Sequence, residues 1–242
     1  MREPDAAFAD PRLAVLYDVL DSDRSDLDAY VALVAEVGAR SVLDVGCGTG
    51  SLAVRLAQAG VRVTGVDPAV ASLEVARGKP HAGRVTWVPG DATAVGSLRL
   101  QVDLAVMTGN VAQAIVDDED WQRTLAAVHD ALRPGGWLAL EIRRPQARDW
   151  ETWEVLPTTV DLPGGGTVVV SRTVTDVALP LVTFVSTTVV DGEPLPSAST
   201  LRFREQPQVE ADLAAQGFDV VDVRQAPDRP DKELVFLARR PE

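Results

Sequence analysis

The 242-residue sequence has one cysteine, Cys47, two histidines, His81 and His129, and two lysines, Lys79 and Lys232. A lone cysteine excludes an intramolecular disulfide framework and a zinc site built on cysteines. Two histidines cannot build a His-rich metal site, so no metal is expected. Positive charge is also scarce: 23 Lys and Arg against 36 Asp and Glu leave a net charge of −13. Such a surface repels phosphate backbones and anionic bilayers, so neither nucleic acid nor membrane is an expected partner. No apolar run approaches the ~18 residues of a spanning helix. Met1–Pro11 is acidic and has no apolar h-region, so no secretory signal is expected and a cytoplasmic protein is. Scarce lysine beside abundant Arg, Ala, Val and Asp matches a high-GC bacterial genome. What the chain does have is an ordinary globular balance, 46% hydrophobic and 24% charged, and enough length for a full core.

Hydrophobic spacing divides the chain. Asp10-Pro11 reads as an N-cap and first-turn pair, and Leu13, Leu16, Tyr17 and Leu20 share one helix face. Ser25 with Asp28 reads as a capping box before Leu27, Tyr30, Val31 and Val34, which Gly38 ends. From Ser41 short apolar strands alternate with helices. Strands are predicted at 42–45, 61–66, 84–88, 103–107 and 137–142, with helices at 51–59, 68–77 and 118–132. This rhythm predicts a doubly wound, mostly parallel sheet covered on both faces. It breaks after Pro145. β-rich runs at 155–162, 167–177, 181–190 and 199–204 are separated by turn signals such as Pro163-Gly164-Gly165-Gly166 and Asp191-Gly192. They predict an antiparallel insertion after the fifth strand. A helix at 207–216 and strands at 218–223 and 234–238 resume the first pattern. Three units follow: N-terminal helices (1–40), the sheet domain (41–145 and 205–242) and the β insertion (146–204), a substrate lid or interaction surface.

The strongest chemical signal is Leu43-Asp44-Val45-Gly46-Cys47-Gly48-Thr49-Gly50, between the first strand and the following helix. Glycines let a ligand approach the backbone, and the helix start offers free N–H groups. A dinucleotide fingerprint needs its third glycine at position 51, which is serine. Asp67 ends the second strand, where an acid can accept both ribose hydroxyls or cap the next helix. Gly90-Asp91-Ala92 ends the third, where a carboxylate can accept from an adenine amine. Sites on three successive strand ends describe a nucleoside pocket.

These motifs, with Leu132-Arg133-Pro134-Gly135-Gly136, resemble the class I S-adenosylmethionine-dependent methyltransferases, closely over 17–140 and more loosely over 206–239, and look most like the small-molecule enzymes of high-GC bacteria. The resemblance implies a Rossmann-like sheet of seven strands, the last antiparallel and supplied by 234–238. It implies S-adenosylmethionine as cofactor. Asp44, Gly46 and Gly48, with their loop neighbours Cys47 and Gly50, would surround its methionine end, which the backbone near Met107 would also line. Asp67 would hold the ribose, Pro68 lie against the adenine, Asp91 and Ala92 read the adenine edge, and Tyr17 close over the site.

The function expected is methyl transfer to an unidentified small molecule. The alternative is a non-catalytic cofactor-binding module whose insertion serves protein interaction. Glu141 and Asn110 are the catalytic candidates, with Gln113 nearby, because they stand near the carboxyl ends of the fourth and fifth strands. Cys47 is expected to be a small loop residue, and both histidines to lie away from the chemistry. Trp150 and Trp153 are read as a hydrophobic seam between domains, with stacking on an aromatic substrate as the alternative. Monomer and homodimer are both open.

Overall fold

The computed structural model describes residues 2–242; Met1, the first residue of the expected N-terminal unit, lies outside the described residues. The strands are β1 (Ser41–Val45), β2 (Arg62–Asp67), β3 (Val85–Pro89), β4 (Val102–Met107), β5 (Leu132–Arg143), β6 (Val155–Asp161), β7 (Thr167–Ala178), β8 (Leu181–Val190), β9 (Glu193–Arg202), β10 (Asp219–Gln225) and β11 (Glu233–Arg239). The α-helices are α1 (Ala6–Ala9), α2 (Pro11–Ala14), α3 (Tyr17–Leu20), α4 (Asp28–Glu36), α5 (Ser51–Gln58), α6 (Val70–Gly78), α7 (Val111–Ala114), α8 (Asp118–Ala131) and α9 (Gln206–Ala215).

The seven-stranded sheet runs β10-β11-β5-β4-β1-β2-β3. Its β1–β5 pairs are parallel, and β11 lies antiparallel between β5 and β10. This is the expected doubly wound, mostly parallel sheet. Side-chain alternation gives each face its own core. Val42, Val63, Leu104 and Leu237 cluster with Tyr30 and Leu33 of α4 and Leu52 and Leu56 of α5. Leu43, Val45, Met107, Leu138 and Leu140 cluster with Trp121, Leu125 and Val128 of α8 and Val209 and Leu213 of α9. The strand order reverses between β1 and β4, so the carboxyl edge opens a crevice there.

The insertion is the antiparallel meander β6-β7-β8-β9. Trp150 and Trp153 pack with Val182, Leu201 and Phe203, a seam where the chain enters and leaves it. Among the described residues no helix is long and apolar enough to cross a membrane.

Three local expectations need correction. The first predicted helix, from Pro11 on, is two short pieces, α2 and α3, with α1 before it; Asp10 does cap α2, accepting from Arg12 N at 2.9 Å, and Leu13 is buried, but Val15 and Leu20 stay exposed. Ser25 does not form a capping box: its N donates to Asp23 at 3.0 Å, and a 3-10 turn leads into α4. β9 begins at Glu193, not Ser199, because it pairs on one side only and an edge strand tolerates Pro194 and Pro196.

Candidate functional site

A cavity of about 600 Å³ opens at the carboxyl edge of β1, β2, β3 and β4 and extends without a break to the insertion sheet. That volume suits a cofactor or small-molecule site.

The turn after β1 forms the floor. Its Gly46 and Cys47 N–H groups donate to Val66 O of β2 at 2.8 and 3.1 Å, which pins the loop to the sheet. Gly48 has φ +53°, lines the cavity, and has open space where a Cβ would project. Gly50, although grouped with it in the sequence, does not line the cavity. Its Cβ would stand 2.9 Å from Ala76 and collide with the Trp87 ring, so this glycine lets α5 approach the sheet. Cys47 lines the cavity as a neutral thiol, since burial first and the nearby Asp44 next push it well above its ordinary range.

Three acids stand at three strand ends. Asp44 is buried, and its Oδ2 has no hydrogen-bond partner among the described residues. Burial and the neighbouring Asp67 push its carboxyl up to about 7. Asp67 accepts from Gly48 N and Ala69 N, both at 2.8 Å, and so holds the glycine loop and the start of the α6 turn together. Because Asp67 takes Ala69 N, α6 starts at Val70 and not at the predicted Pro68. Burial raises Asp67 as well. Asp91 caps the 3-10 turn Ala92–Leu98, accepting from Thr93 N at 2.8 Å and from the Thr93 hydroxyl. Pro68, Asp91 and Ala92 line the cavity beside these acids.

The loop after β4 forms the next wall. Thr108, Gly109, Asn110 and Val111 line it, whereas Met107 itself is fully buried in the core below. Asn110 sits at φ +70°, and its Oδ1 is buried without a partner among the described residues. Glu141, expected as a base, does not line this cavity. It accepts from the Tyr30 hydroxyl of α4 and from Gly109 N, and borders a separate pocket of about 100 Å³. Burial and Glu233 push its carboxyl up to about 7. Because its side chain lies outside the cavity lining, Glu141 positions the Thr108–Val111 loop and does not reach a cavity ligand. Gln113 is equally withdrawn, accepting from Arg143 N at 3.1 Å. His129 packs edge-on against Phe218 and His81 sits in the turn before β3; neither lines the cavity.

The roof comes from the N-terminal segment. Tyr17 lines the cavity with its ring 5.4 Å from that of Phe8. Asp18 accepts from Thr49 Oγ1 at 2.6 Å and pairs with Lys79 at 2.7 Å. Ala7 N donates to Ser197 Oγ of β9 at 2.8 Å. The segment therefore bridges the glycine loop and the insertion.

The far wall was not assigned from the sequence. Phe184, Ser186 and Thr188 of β8, Ser197 and Ser199 of β9 and Arg172 of β7 all line it. Their every-second-residue spacing was visible, but which strand face meets a ligand depends on how the insertion docks.

A sheet of this order with a glycine loop and acids at its carboxyl edge defines a Rossmann-like, nucleoside-cofactor fold. A family model described as a methyltransferase domain matches residues 42–136. The cypemycin N-terminal methyltransferase of a Streptomyces species is 31% identical over 144 residues, 58% of each chain. The ubiquinone/menaquinone biosynthesis C-methyltransferase of Rubrivivax gelatinosus is 31% identical over 117 residues, 48% of this chain and 45% of that one. The chain spans about half the length of the curated relatives it matches. An S-adenosylmethionine-dependent methyltransferase of known structure from Clostridium acetobutylicum superposes with a TM-score of 0.77 at 17% identity, covering 96% of this chain and 98% of that one, which shows a shared fold. Residues 42–136 are thus similar to a methyltransferase domain, and the chain as a whole shares the fold of S-adenosylmethionine-dependent methyltransferases of known structure.

Proposed function

We propose that this protein transfers the methyl group of S-adenosylmethionine to a small molecule. The observation that carries the reading is the single cavity joining the acidic strand ends to the polar face of the insertion. One end suits the cofactor, and the rest leaves room for an acceptor of modest size.

The residues present fit the cofactor. Asp44 Oδ2 is a buried acceptor without a donor, suited to the ammonium of a methionine moiety. Each oxygen of Asp67 accepts one backbone N–H and keeps a lone pair for a ribose hydroxyl. Asp91 and Ala92 are offered to the adenine edge, Pro68 to its face, and the space over Gly48 to the chain between them. Bound there, the cofactor supplies a methyl group already activated by its sulfonium, so no nucleophile of the protein is needed. The protein's own part is positioning. The Thr108–Val111 loop, braced by Glu141, and the insertion sheet would hold the acceptor in place toward the cofactor's methyl group. Asn110 Oδ1 accepts a proton-bearing group of the acceptor and orients its lone pair. The N-terminal segment closes over both ligands and excludes water. One chain supplies every group in this scheme, so a monomer and a homodimer serve alike, in the cytoplasm.

S-adenosylhomocysteine at hundredfold excess over its dissociation constant should raise the melting temperature by roughly 5–10 °C. NAD should leave it unchanged. Stabilisation by NAD equal to that by S-adenosylhomocysteine would overturn the reading.

A further inference from the structure

The insertion sheet presents one face to the cavity. Along β8 that face is Phe184, Ser186 and Thr188, and along β9 it is Leu195, Ser197 and Ser199. Across the strands the register sets Arg172 opposite Ser186, and Ser186 opposite Ser197. One row of the face therefore reads Arg-Ser-Ser.

Arg172 is unusually placed for a cation in a chain of net charge −13. It forms no salt bridge with any described carboxylate. Its Nε donates to Ser186 Oγ at 3.0 Å, and its guanidinium lies 5.0 Å from the centre of the Phe184 ring. The four N–H groups on its terminal nitrogens have no acceptor among the described residues. Burial lowers its pKa, and the carboxylate of Asp21 acts on it only at a distance. Phe184 stands 5.3 Å from Trp153, and the Arg143 guanidinium lies 4.8 Å from the centre of the Trp153 ring. Arg143 is also without a salt bridge among the described residues, and its Nε is a buried donor with no partner. Arginine, aromatic, aromatic, arginine form a continuous ridge along the cavity wall.

Asp44, Asp67 and Asp91 stand at the end offered to the cofactor, and Arg172 and Arg143 stand on the side of the insertion, while Asp21, Asp117 and Asp120 line the cavity as well. A buried cation without a counter-ion is costly. Ser186 and Phe184 fix Arg172 on one edge and one face, and leave its fork of terminal N–H groups open.

We propose that Arg172 is the anchor for an oxyanion on the methyl acceptor, a carboxylate or a phosphate, held bidentately with Ser186 and Ser197 beside it. This rests on the methyltransferase reading and adds the acceptor's charge class. The oxyanion lies on the insertion sheet, which turns the rest of the acceptor toward the Thr108–Val111 loop.

The test uses the full chain saturated with S-adenosylhomocysteine. Benzoate, phenyl phosphate, neutral benzamide and cationic benzylamine are titrated in, followed by calorimetry and tryptophan fluorescence. One of the two anions should bind about tenfold or more tightly than benzamide, and benzylamine should bind least. Preference for benzoate identifies a carboxylate, and preference for phenyl phosphate a phosphate. Arg172→Gln should abolish the preference while S-adenosylhomocysteine affinity is unchanged. Arg172→Lys keeps the charge but not the fork, should lose part of the preference, and decides the matter if Arg172→Gln does not retain S-adenosylhomocysteine. Equal binding of benzamide, tighter binding of benzylamine, no binding of either anion at millimolar concentration, or an undiminished preference in the variants would overturn the proposal. Failure of S-adenosylhomocysteine itself to bind would instead count against the methyltransferase reading.

Discussion

Gly48 and Gly50 stand two positions apart in one loop, both with positive φ, yet they answer different demands. A side chain at Gly48 would enter open cavity space, whereas one at Gly50 would strike Trp87 and Ala76. Gly48→Val should fold, at a cost of about 1–2 kcal/mol for the left-handed backbone, and lose S-adenosylhomocysteine affinity by at least about tenfold because the isopropyl group takes ligand space. Gly50→Ala should lower the melting temperature through overpacking of about 1–3 kcal/mol added to the same left-handed backbone cost of about 1–2 kcal/mol, and leave the affinity of the folded protein near its original value. Calorimetric titration beside thermal melts separates the two. If Gly50→Ala loses affinity without losing stability, Gly50 belongs to the binding surface after all. Both glycines were legible as a ligand-binding turn. Their division of labour was not, because it depends on Trp87, which comes from β3.

Among the elements, the contact between α4, the loop after β4 and β5 matters most for the site. Tyr30 of α4 and Gly109 N both donate to Glu141, which locks the loop carrying Asn110. Tyr30→Phe removes one donor from a buried carboxylate and should destabilise the protein by about 1–3 kcal/mol, read from urea melts. Turnover of a true acceptor should fall in Tyr30→Phe and in Glu141→Gln alike, with the shape of the pH–rate profile kept, since Glu141 acts through the loop. A profile that loses its acidic limb only in Glu141→Gln would restore Glu141 as a base. The sequence put Glu141 at the correct end of β5, but position along a strand does not say which layer a side chain enters. Element boundaries drifted where local signals competed with pairing. Two prolines hid the first half of β9, and the apolar spacing of residues 13–20 concealed two short helical turns, α2 and α3, that follow the cavity rim.

On the scale of the whole molecule, buried acids set the pH response. Asp44 and Glu141 are both pushed up to about 7, well above their unfolded values, and Asp67 is raised too. Between about pH 5 and 7 the folded chain therefore holds protons that the unfolded chain has released. Stability of the ligand-free protein should fall as pH rises through that window, by at most about 1.4 kcal/mol per pH unit for each such group. An ammonium bound beside Asp44 favours its charged form, so S-adenosylhomocysteine affinity should strengthen over the same window and Asp44→Asn should flatten that dependence. Urea melts and titrations at several pH values check both. Stability that rises from pH 5 to 7 would show that Asp44 is charged in the ligand-free fold.

Periodicity and glycine placement alone determined the doubly wound sheet, the inserted antiparallel strands and the cofactor-side loop, because these depend on residues close in sequence. The spacing of Gly46, Gly48, Asp67 and Asp91 across three strand ends carried the family resemblance for the same reason. Only the tertiary structure decided which of those residues reach the cavity. It placed Gly50 and Met107 in the packing beneath, turned Glu141 into a brace, and brought Arg172, Phe184 and Ser186 opposite Asp44 and Gly48. The physical reason is that a strand pattern specifies two faces but not what each face meets, which depends on how the insertion docks and on the Trp150–Phe203 seam that holds it.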